Sequence, residues 1–415
     1  VQQAIKGLPV PKPMRWADHD FSFVRPVHWL IVLHGETVLP GTLFGLTAAN
    51  QTRGHRVHAP GPHRVDHPSR YEQVLEDAYV IADPNRRKER IRDLLLECSE
   101  QVHIDADMLP EVNNLVEWPV AVACTFDTEF LAVPHEALIA SMQDHQKFFP
   151  VMADVETSVI SNRFIAISNS ESRHPPSVRE GFERVIRPRL ADARFFLQQD
   201  LKQPLEAYFK SLDQVVFQKT IGSVGDKSRR IASLSKQIEN LLGLEEGPAS
   251  RAATLSKCDL MTHMVGEFPE LQGIMGKHYA LASGEDPAVA AAIEEHYLPR
   301  FAGDDVPETK AGQIVSIADR LDTLVGVFAA GMRPTGNKDP FALRRAALGL
   351  LRVLLEKDLR LSLKDLLALA AQGYRNTLAL GDGLLDEIQD FIVDRARNHY
   401  RDQGFSTELI NATLS

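Results

Sequence analysis

The chain has 415 residues, more than one hydrophobic core usually holds, so two to four domains are expected. Its 44% hydrophobic and 25% charged residues exclude general disorder, and no apolar run approaches the roughly 20 residues of a membrane span. The formal net charge of −10 argues against a diffuse affinity for nucleic acid, because such binding needs clustered cations. Three cysteines without a C-x-x-C pair favour a reducing compartment over a disulfide framework or a zinc ribbon.

The first 172 residues predict a β-rich module of the α+β class. Short runs of alternating apolar and polar residues lie between turn formers, which is typical of strands. A helical insertion is predicted over about 68–112, where apolar residues recur at three- and four-residue spacing. The two prolines of residues 173–177 predict a connector that excludes a helix. The predicted strands are 21–26, 29–33, 38–45, 116–122, 148–152 and 164–167.

Long amphipathic segments from Val178 onward predict a mainly helical second half. We expect a connecting helix within 173–200, a helical domain over 201–335 and a further helical segment over 336–415. The predicted helices are 178–198, 203–242, 251–268, 285–297, 311–329, 340–357, 362–377 and 383–402.

No familiar catalytic signature is present. The sequence has no P-loop, no dinucleotide-binding glycine fingerprint, no nucleophile elbow and no zinc-protease motif. We therefore expect no catalytic residue and no cofactor in this chain.

The segment around His296, followed by Ile317 to Asp322, resembles the later half of an HD phosphohydrolase domain. Such enzymes hold metal ions with imidazoles and carboxylates to generate hydroxide. At the expected His-Asp doublet the sequence reads Lys257-Cys258-Asp259, and no histidine lies between His174 and His263. A site without these ligands is expected to bind no metal, and its carboxylates are expected to make buried hydrogen bonds or salt bridges. The remnant positions would be Cys258, Asp259, His296 and Asp319.

Basic side chains cluster at three places and are candidates for RNA contact, because guanidinium groups match phosphate well. Pro188 fits the first turn of a helix, with Phe195 and Phe196 packed inward. In Arg53-Gly54-His55-Arg56 the glycine allows a close approach to the backbone. In the third cluster, Asp339 and Pro340 predict an N-cap and a first helical residue. For the arginines around Pro188 the alternative is pairing with Glu180, Glu183 and Asp192. The candidate cations are Arg53, Arg56, Arg187, Arg189, Arg194, Arg344 and Arg345.

The histidine and tryptophan residues of the sequence do not indicate a metal-binding or RNA-binding site. Seven histidines within residues 1–70 fit no closed ligand set and are interpreted as surface residues. Trp16, Trp29 and Trp118 are interpreted as core or domain-contact anchors.

Several segments in order resemble the β subunit of bacterial heterotetrameric glycyl-tRNA synthetase. They include Phe23 to His28, Leu115 to Val120, Val185 to Ala193 and Leu255 to Thr262. Two more are Asp144 to Val151, which adds Lys147 to the candidate RNA contacts, and Lys338 to Ala347.

The resemblance implies a cytoplasmic α2β2 ligase in which the α subunit carries the class II site for glycine, ATP and Mg2+, while β grips tRNA-Gly. It also implies an HD-like domain over 201–335 without hydrolase function, and a first module similar to the B3/B4 region of phenylalanyl-tRNA synthetase. The family's N-terminal block and C-terminal anticodon-binding domain are expected to lie outside this sequence. A noncatalytic tRNA-holding subunit is thus the leading expectation, with no membrane or DNA partner. An HD-type metal-dependent phosphohydrolase and an editing module in the β-rich part remain open.

Overall fold

The computed structural model describes residues 2–155, 159–244, 247–336 and 338–414, and these form a mixed α+β protein. No helix within these ranges is both long and apolar enough to cross a bilayer. The chain divides into two compact units, an N-terminal unit up to Ala191 and a C-terminal unit from Asp192. The finer division into four domains stays a prediction.

The N-terminal unit begins with a helix and a series of very short antiparallel pairs. Predicted strands in this stretch are reduced to two or three residues, because turns such as Gly35 and Gly45, both with positive φ, follow one another closely. The elements are α1 (Gln2–Lys6), β1 (Met14–Arg15) with β2 (Ser22–Phe23), β3 (Leu33–His34) with β4 (Thr37–Val38), β5 (Thr42–Leu43) with β6 (Leu46–Thr47), and β7 (Gln51–Arg53) with β8 (Pro62–Arg64).

A three-stranded antiparallel sheet and four helices complete the core of this unit. Ile91 and Leu95, four residues apart on one helix face, pack on Phe149, Val151 and Ile165 of the sheet. Helices thus lie between the short strand pairs and the three-stranded sheet, in the part of the chain where the insertion is predicted. The elements are a 3-10 turn (Pro68–Arg70), α2 (Tyr71–Asp77), α3 (Pro84–Cys98), α4 (Met108–Leu115), β9 (Val120–Thr125), a 3-10 turn (Thr128–Ala132), α5 (His135–Gln146), β10 (Phe149–Asp154) and β11 (Val159–Ser168), with sheet order β10-β11-β9.

Helix α6 (Pro175–Asp200) corrects two sequence predictions. It begins at Pro175, inside the segment predicted to exclude a helix, because the first helical turn tolerates proline. Pro188 lies in the interior of the helix rather than in its first turn. The arginines around Pro188 are therefore not at a helix start.

The C-terminal unit is helical, as predicted. The 203–242 and 251–268 segments are not single helices, however, because a hairpin at Gly222 (φ +104°) and several 3-10 turns interrupt them. The elements are a 3-10 helix (Leu205–Gln214), β12 (Val216–Gln218) with β13 (Gly222–Ser223), α7 (Val224–Leu241), α8 (Pro248–Leu255), a 3-10 turn (Cys258–Met261), α9 (His263–Glu267), a 3-10 turn (Pro269–Leu271), α10 (Ile274–Ala282), α11 (Pro287–Glu295), α12 (Lys310–Ala329), α13 (Leu343–Glu356), α14 (Leu363–Gln372), α15 (Leu384–Asp402) and α16 (Thr407–Leu414).

Helix α12 lies at the centre of this unit, packed against α7, α8, α11, α13, α14 and α15. Its Val315, Leu321 and Val325 side chains are fully buried, and so is most of its circumference. A helix that is apolar nearly all round is typical of a core position. The few charged residues on α12 must therefore find partners inside the protein.

Helix α13 begins three residues later than predicted. Ala342 has left-handed geometry (φ 52°), so Leu343 and not Pro340 is the first helical residue. The Asp339 carboxylate still caps the helix, because it accepts hydrogen bonds from the backbone N–H groups of Leu343 (2.8 Å) and Arg344 (3.0 Å).

Candidate functional site

Four elements of the C-terminal unit bring buried charges together where the HD resemblance places a remnant site. The Lys257 Nζ atom lies 2.7 Å from His296 Nε2 and 2.9 Å from Asp319 Oδ2. His296 is fully buried, and its Nδ1 atom lies 2.7 Å from the backbone oxygen of Ile293. The ammonium group thus occupies the position between imidazole and carboxylate that a metal ion would need.

A second lysine and an arginine extend this arrangement, which we name the ion cluster (Lys227, Arg230, Lys257, His296, Asp319 and Asp322). Lys227 Nζ lies 2.6 Å from Asp319 Oδ1 and 3.3 Å from Asp322 Oδ2. Arg230 Nε donates to Asp322 Oδ1 at 2.6 Å. Each carboxylate is therefore shared by two cations, as buried charges require.

Burial and neighbouring charge set the protonation states in the ion cluster. Burial, followed by the Lys257 charge, places the pKa of His296 well below its usual value, so this imidazole is neutral. Burial also lowers the pKa of Lys257. For Asp319 burial acts to raise the pKa, but Lys227 and Lys257 outweigh it and hold the pKa well below the usual range. A neutral imidazole and an ionised carboxylate are the right acceptors for an ammonium group.

The other two remnant positions are engaged elsewhere. Asp259 Oδ2 accepts hydrogen bonds from the backbone N–H groups of Gly273 (2.5 Å) and Gly276 (3.2 Å), at the start of α10. Burial raises the pKa of Asp259 to about 6 and that of Cys258 to about 12. The thiol is thus protonated and a poor metal ligand. The buried hydrogen bonds and salt bridges expected of the two aspartates are present.

These residues do not fit a catalytic metal. A divalent cation could reach His296 and Asp319 only by displacing the Lys257 ammonium, and the described residues contain no group of three or more His, Cys, Asp and Glu side chains arranged around a metal position. Sequence reasoning missed the role of Lys257. The signal was a lysine within the otherwise uncharged run from Ala252 to Cys258.

A pocket of about 580 Å³ adjoins the ion cluster. The side chains of Arg300, Arg320 and Arg345 line it, together with His296 and Asp319. We name it the arginine pocket. Of the two candidate cations on α13, Arg345 is exposed in this pocket, whereas Arg344 Nη2 donates to the backbone oxygen of Gly336 at 2.7 Å.

The N-terminal unit has a separate cleft of about 710 Å³. Arg53 and Arg56 lie on its wall, are exposed, and form no ion pair with the described residues. Asn114 and Asn169 supply amide groups to the lining, and the 43% exposed side chain of Trp29 supplies an aromatic surface. We name this the basic cleft. It combines the cations and the stacking surface that suit RNA.

Buried His55 holds the loop that carries these two arginines. Its Nδ1 atom accepts from the backbone N–H groups of Val57 and His58, both at 3.2 Å, so the proton is on Nε2, which donates to the Asn169 oxygen at 2.7 Å. The ring also stacks on His58 at 4.7 Å. The interpretation of the early histidines as surface residues is therefore wrong for His55, which is 3% exposed.

Gly54 is needed for packing rather than for an open approach to the backbone. A Cβ atom at this position would lie 2.6 Å from Ala78 Cβ and 2.9 Å from the Ala59 oxygen. The glycine therefore lets the loop lie directly against its neighbours and fixes where Arg53 and Arg56 project.

The remaining candidate cations are distributed along the N-terminal unit and α6. Lys147 pairs with Glu111 at 2.7 Å. Arg187 also pairs with a carboxylate, at 3.1 Å, but its partner is Asp127 and not one of the carboxylates near it in sequence. Arg189 is exposed, and Arg194 is half-buried.

Phe195 does not pack inward as predicted, since its side chain is 54% exposed. Phe196 is half-buried, and its ring stacks parallel to that of His263 at 6.4 Å. Trp16 and Trp118 pack locally, against Phe21 at 5.1 Å and Tyr79 at 5.2 Å, whereas Trp29 is not a core residue.

Comparison with known proteins gives matches along the whole chain. The family model described as glycyl-tRNA synthetase beta subunit matches residues 1–415. A glycine–tRNA ligase beta subunit of Chromohalobacter salexigens is 50% identical over 413 residues, covering 99% of this chain and 60% of the relative. Those of Pseudomonas fluorescens strain Pf-5 and Pseudoalteromonas translucida are 48% and 44% identical, covering 97% and 100% of this chain and 59% and 60% of the relatives.

The chain spans about 60% of the length of these curated relatives. Identity of this degree along nearly the full chain goes well beyond a shared fold. The chain belongs to the glycyl-tRNA synthetase β-subunit family.

Proposed function

We propose that this chain is the tRNA-holding part of a glycine–tRNA ligase, and that it has no active site of its own. The observation that carries the proposal is the contrast between its two charged regions. The ammonium of Lys257 takes up the ligands of the HD-like site, whereas Arg53 and Arg56 of the basic cleft project from a fixed loop without an ion pair among the described residues. The relatives' description as a ligase β subunit supplies the reaction.

In this proposal catalysis belongs to an α subunit, which would bind glycine, ATP and Mg2+ in an α2β2 assembly of the cytoplasm. The β subunit would orient tRNA-Gly so that its 3′ end reaches that site. Orientation lowers the barrier by removing the entropy cost of bringing the two substrates together. The N-terminal unit corresponds in this view to the B3/B4-like module, and residues 201–335 to the HD-like domain.

RNA recognition in the basic cleft would rest on phosphate contacts and shape. A guanidinium group presents two parallel N–H donors to a phosphate, and an A-form stem is read mainly through its backbone and 2′-hydroxyl groups. The exposed Trp29 ring offers a surface on which an unpaired base can stack. Because His55 and Gly54 fix the loop, the cations are already in place before RNA binds.

The proposed roles of the α and β subunits are tested by measuring glycine attachment to tRNA-Gly with full-length α alone, full-length β alone and the two together. Activity is expected only from the combination. Aminoacylation by β alone would overturn the proposal.

The basic cleft is tested by titrating tRNA-Gly against the assembled enzyme at several salt concentrations. The double variant Arg53→Ala/Arg56→Ala should bind more weakly, with a salt slope less steep by roughly 1.5, since two phosphate contacts are lost. The matched control is Lys88→Ala/Arg92→Ala on α3, where both side chains are exposed outside the cleft and form no ion pair with the described residues. An equal loss in both double variants would remove the cleft from the RNA site.

The phosphohydrolase alternative conflicts with the position of Lys257. It requires bound transition metal and hydrolysis of a phosphodiester such as bis-p-nitrophenyl phosphate, abolished by Asp319→Ala. We expect neither, because the carboxylate of Asp319 is already shared by two ammonium groups. Stoichiometric metal together with Asp319-dependent hydrolysis would favour the alternative.

A further inference from the structure

The arginine pocket of the C-terminal unit has the size and the lining of a ligand site. Its volume of about 580 Å³ lies within the usual range of roughly 300–1,000 Å³. The segment after α11, helix α12 and the start of α13 form its walls. The rings of Tyr297 and Phe341 contribute aromatic surface, and Gln272 contributes an amide group. The pocket thus offers aromatic surface for an organic group and polar groups that can orient a small anion.

Arg320 forms part of the wall as a buried cation whose hydrogen-bond partners are all neutral. Its Nη1 atom donates to the backbone oxygens of His296 (3.1 Å) and Ser316 (3.2 Å), and its Nη2 atom to that of Pro299 (3.0 Å). Two further bonds go to Ser316 Oγ and the Tyr297 oxygen. Burial lowers its pKa to about 10, so the side chain is still charged at neutral pH. The charge of Asp319 opposes this shift, but no carboxylate of the described residues is hydrogen-bonded to the guanidinium, so a further anion beside it would be stabilising.

Arg300 and Arg345 add two cations that form no ion pair with the described residues. Arg345 lies in the first turn of α13, where the helix dipole disfavours a cation and favours an anion. The Asp339 carboxylate caps the same end through Leu343 and Arg344, so it offsets part of that field. Two cations placed beside a helix N-terminus are what an anionic ligand requires.

The carboxylates in the lining do not neutralise these three guanidinium groups. Only Glu270 and Asp319 are present, and Asp319 is already shared by Lys227 and Lys257. The pocket is therefore cationic within a chain of net charge −10. Locally concentrated charge of this kind selects anions despite an acidic molecule.

We propose that the arginine pocket binds a phosphate group carried by a nucleotide, either free or as part of an RNA chain. Arg300 and Arg345 contact the phosphate oxygens, and the Phe341 ring supports the sugar or base. The ligand is held without hydrolysis, because Lys257 blocks the metal position next to the pocket. This inference goes beyond the tRNA-holding function, since it concerns different residues and a different unit.

The test uses calorimetry on full-length β with four probes: adenosine 5′-monophosphate, adenosine, inorganic phosphate and a short single-stranded oligoadenylate. The monophosphate should bind more tightly than adenosine. Arg345→Ala should weaken it about tenfold, the loss of one charge-assisted contact, and Arg345→Glu should abolish binding. Arg360→Ala is the control, because its side chain is 90% exposed and outside the pocket. Arg345 is also exposed, so the fold should tolerate its replacement, which circular dichroism checks.

The probes separate the two sources of phosphate. Arg345-dependent binding of the monophosphate, tighter than that of inorganic phosphate, identifies a free nucleotide, and Arg345-dependent binding of the oligoadenylate alone identifies an RNA phosphate. Equal binding of inorganic phosphate and the monophosphate would contradict a nucleotide ligand. If no probe depends on Arg345 or Arg300, the inference is overturned. Arg53→Ala/Arg56→Ala should keep the monophosphate affinity, so failure of this pocket is distinguishable from failure of the basic cleft.

Discussion

The two units of this chain differ in whether their charged side chains are buried and paired or exposed. In the ion cluster, the Lys257 and Lys227 side chains are 7% and 6% exposed and every carboxylate is shared between cations. In the basic cleft, the buried ring of His55 supports the loop while Arg53 and Arg56 project into solvent. Charges that satisfy one another inside a protein are unavailable to a ligand, whereas exposed cations on a fixed loop are available. The cleft is therefore the better candidate for RNA, although the ion cluster is richer in charge.

The largest effect is expected from Lys257→Ala, which removes the cation shared by His296 and Asp319. Breaking a buried ion pair at one partner costs about 3–5 kcal/mol in the free energy of unfolding. Urea denaturation measures this loss. Lys357→Ala is the matched control, because its partner Glu308 is 82% exposed and the pair is worth below about 1 kcal/mol. Equal losses for both variants would contradict the role assigned to Lys257.

A smaller, pH-dependent effect is expected at Asp259, whose pKa of about 6 lies above the unfolded value near 3.9. The folded state then holds the proton more tightly, so the stability contribution is complete below about pH 4 and is lost as pH rises through 6. Asp259→Asn cannot ionise and lacks this loss. The wild type should therefore lose roughly 2 kcal/mol relative to the variant between pH 4 and pH 7.5.

Measuring the free energy of unfolding at about pH 4 and about pH 7.5 shows whether ionisation of Asp259 lowers or raises stability. A wild type that gained stability relative to Asp259→Asn as pH rose would show an ionised, well-solvated carboxylate in the folded state. Asp259 Oδ1 has no hydrogen-bond partner among the described residues, which is the physical reason to expect the opposite.

In the basic cleft we expect His55→Ala to cost about 1–2 kcal/mol, the range for leaving buried hydrogen-bonding groups unpaired. It should also weaken tRNA binding, because the loop that carries Arg53 and Arg56 loses its support. Arg53→Ala, in contrast, should change affinity without changing stability. Melting temperature and tRNA affinity, measured on both variants, separate positioning from contact. A stable His55→Ala protein with full affinity would show that the ring has no positioning role.

Sequence patterns predicted the parts of the fold that depend on local periodicity. The helical insertion with Ile91 and Leu95, and the three strands of the sheet, follow from apolar spacing alone. Helix starts were less predictable. The start of α13 depends on left-handed Ala342, and α6 extends through Pro188, and neither is encoded in a local pattern.

The candidate site was only half predictable for a related reason. Pattern comparison matched Cys258 to a missing imidazole, and the degenerate HD-like site that this indicates stays a prediction. The ammonium that lies between His296 and Asp319 comes from the residue preceding Cys258, Lys257, and its partners are 39 and 62 positions away. Likewise the burial of His55 depends on Asn169, 114 positions away. Contacts of that separation are set by packing and are not visible in spacing.

The smallest effect is expected at Arg187, which the sequence ranked among the first RNA contacts. Its guanidinium already pairs with Asp127 at 3.1 Å, and both side chains are largely exposed, at 63% and 45%. A surface pair of this kind contributes below about 1 kcal/mol, so a double-mutant cycle of Arg187→Ala with Asp127→Ala should give a coupling energy in that range.

The tRNA salt slope of Arg187→Ala should also change less than that of the Arg53→Ala/Arg56→Ala variant, because a cation held by a carboxylate releases fewer counterions from phosphate. A larger change at Arg187 would mean that RNA displaces Asp127. In that case α6, and not the basic cleft, would be the main RNA-binding surface of the N-terminal unit.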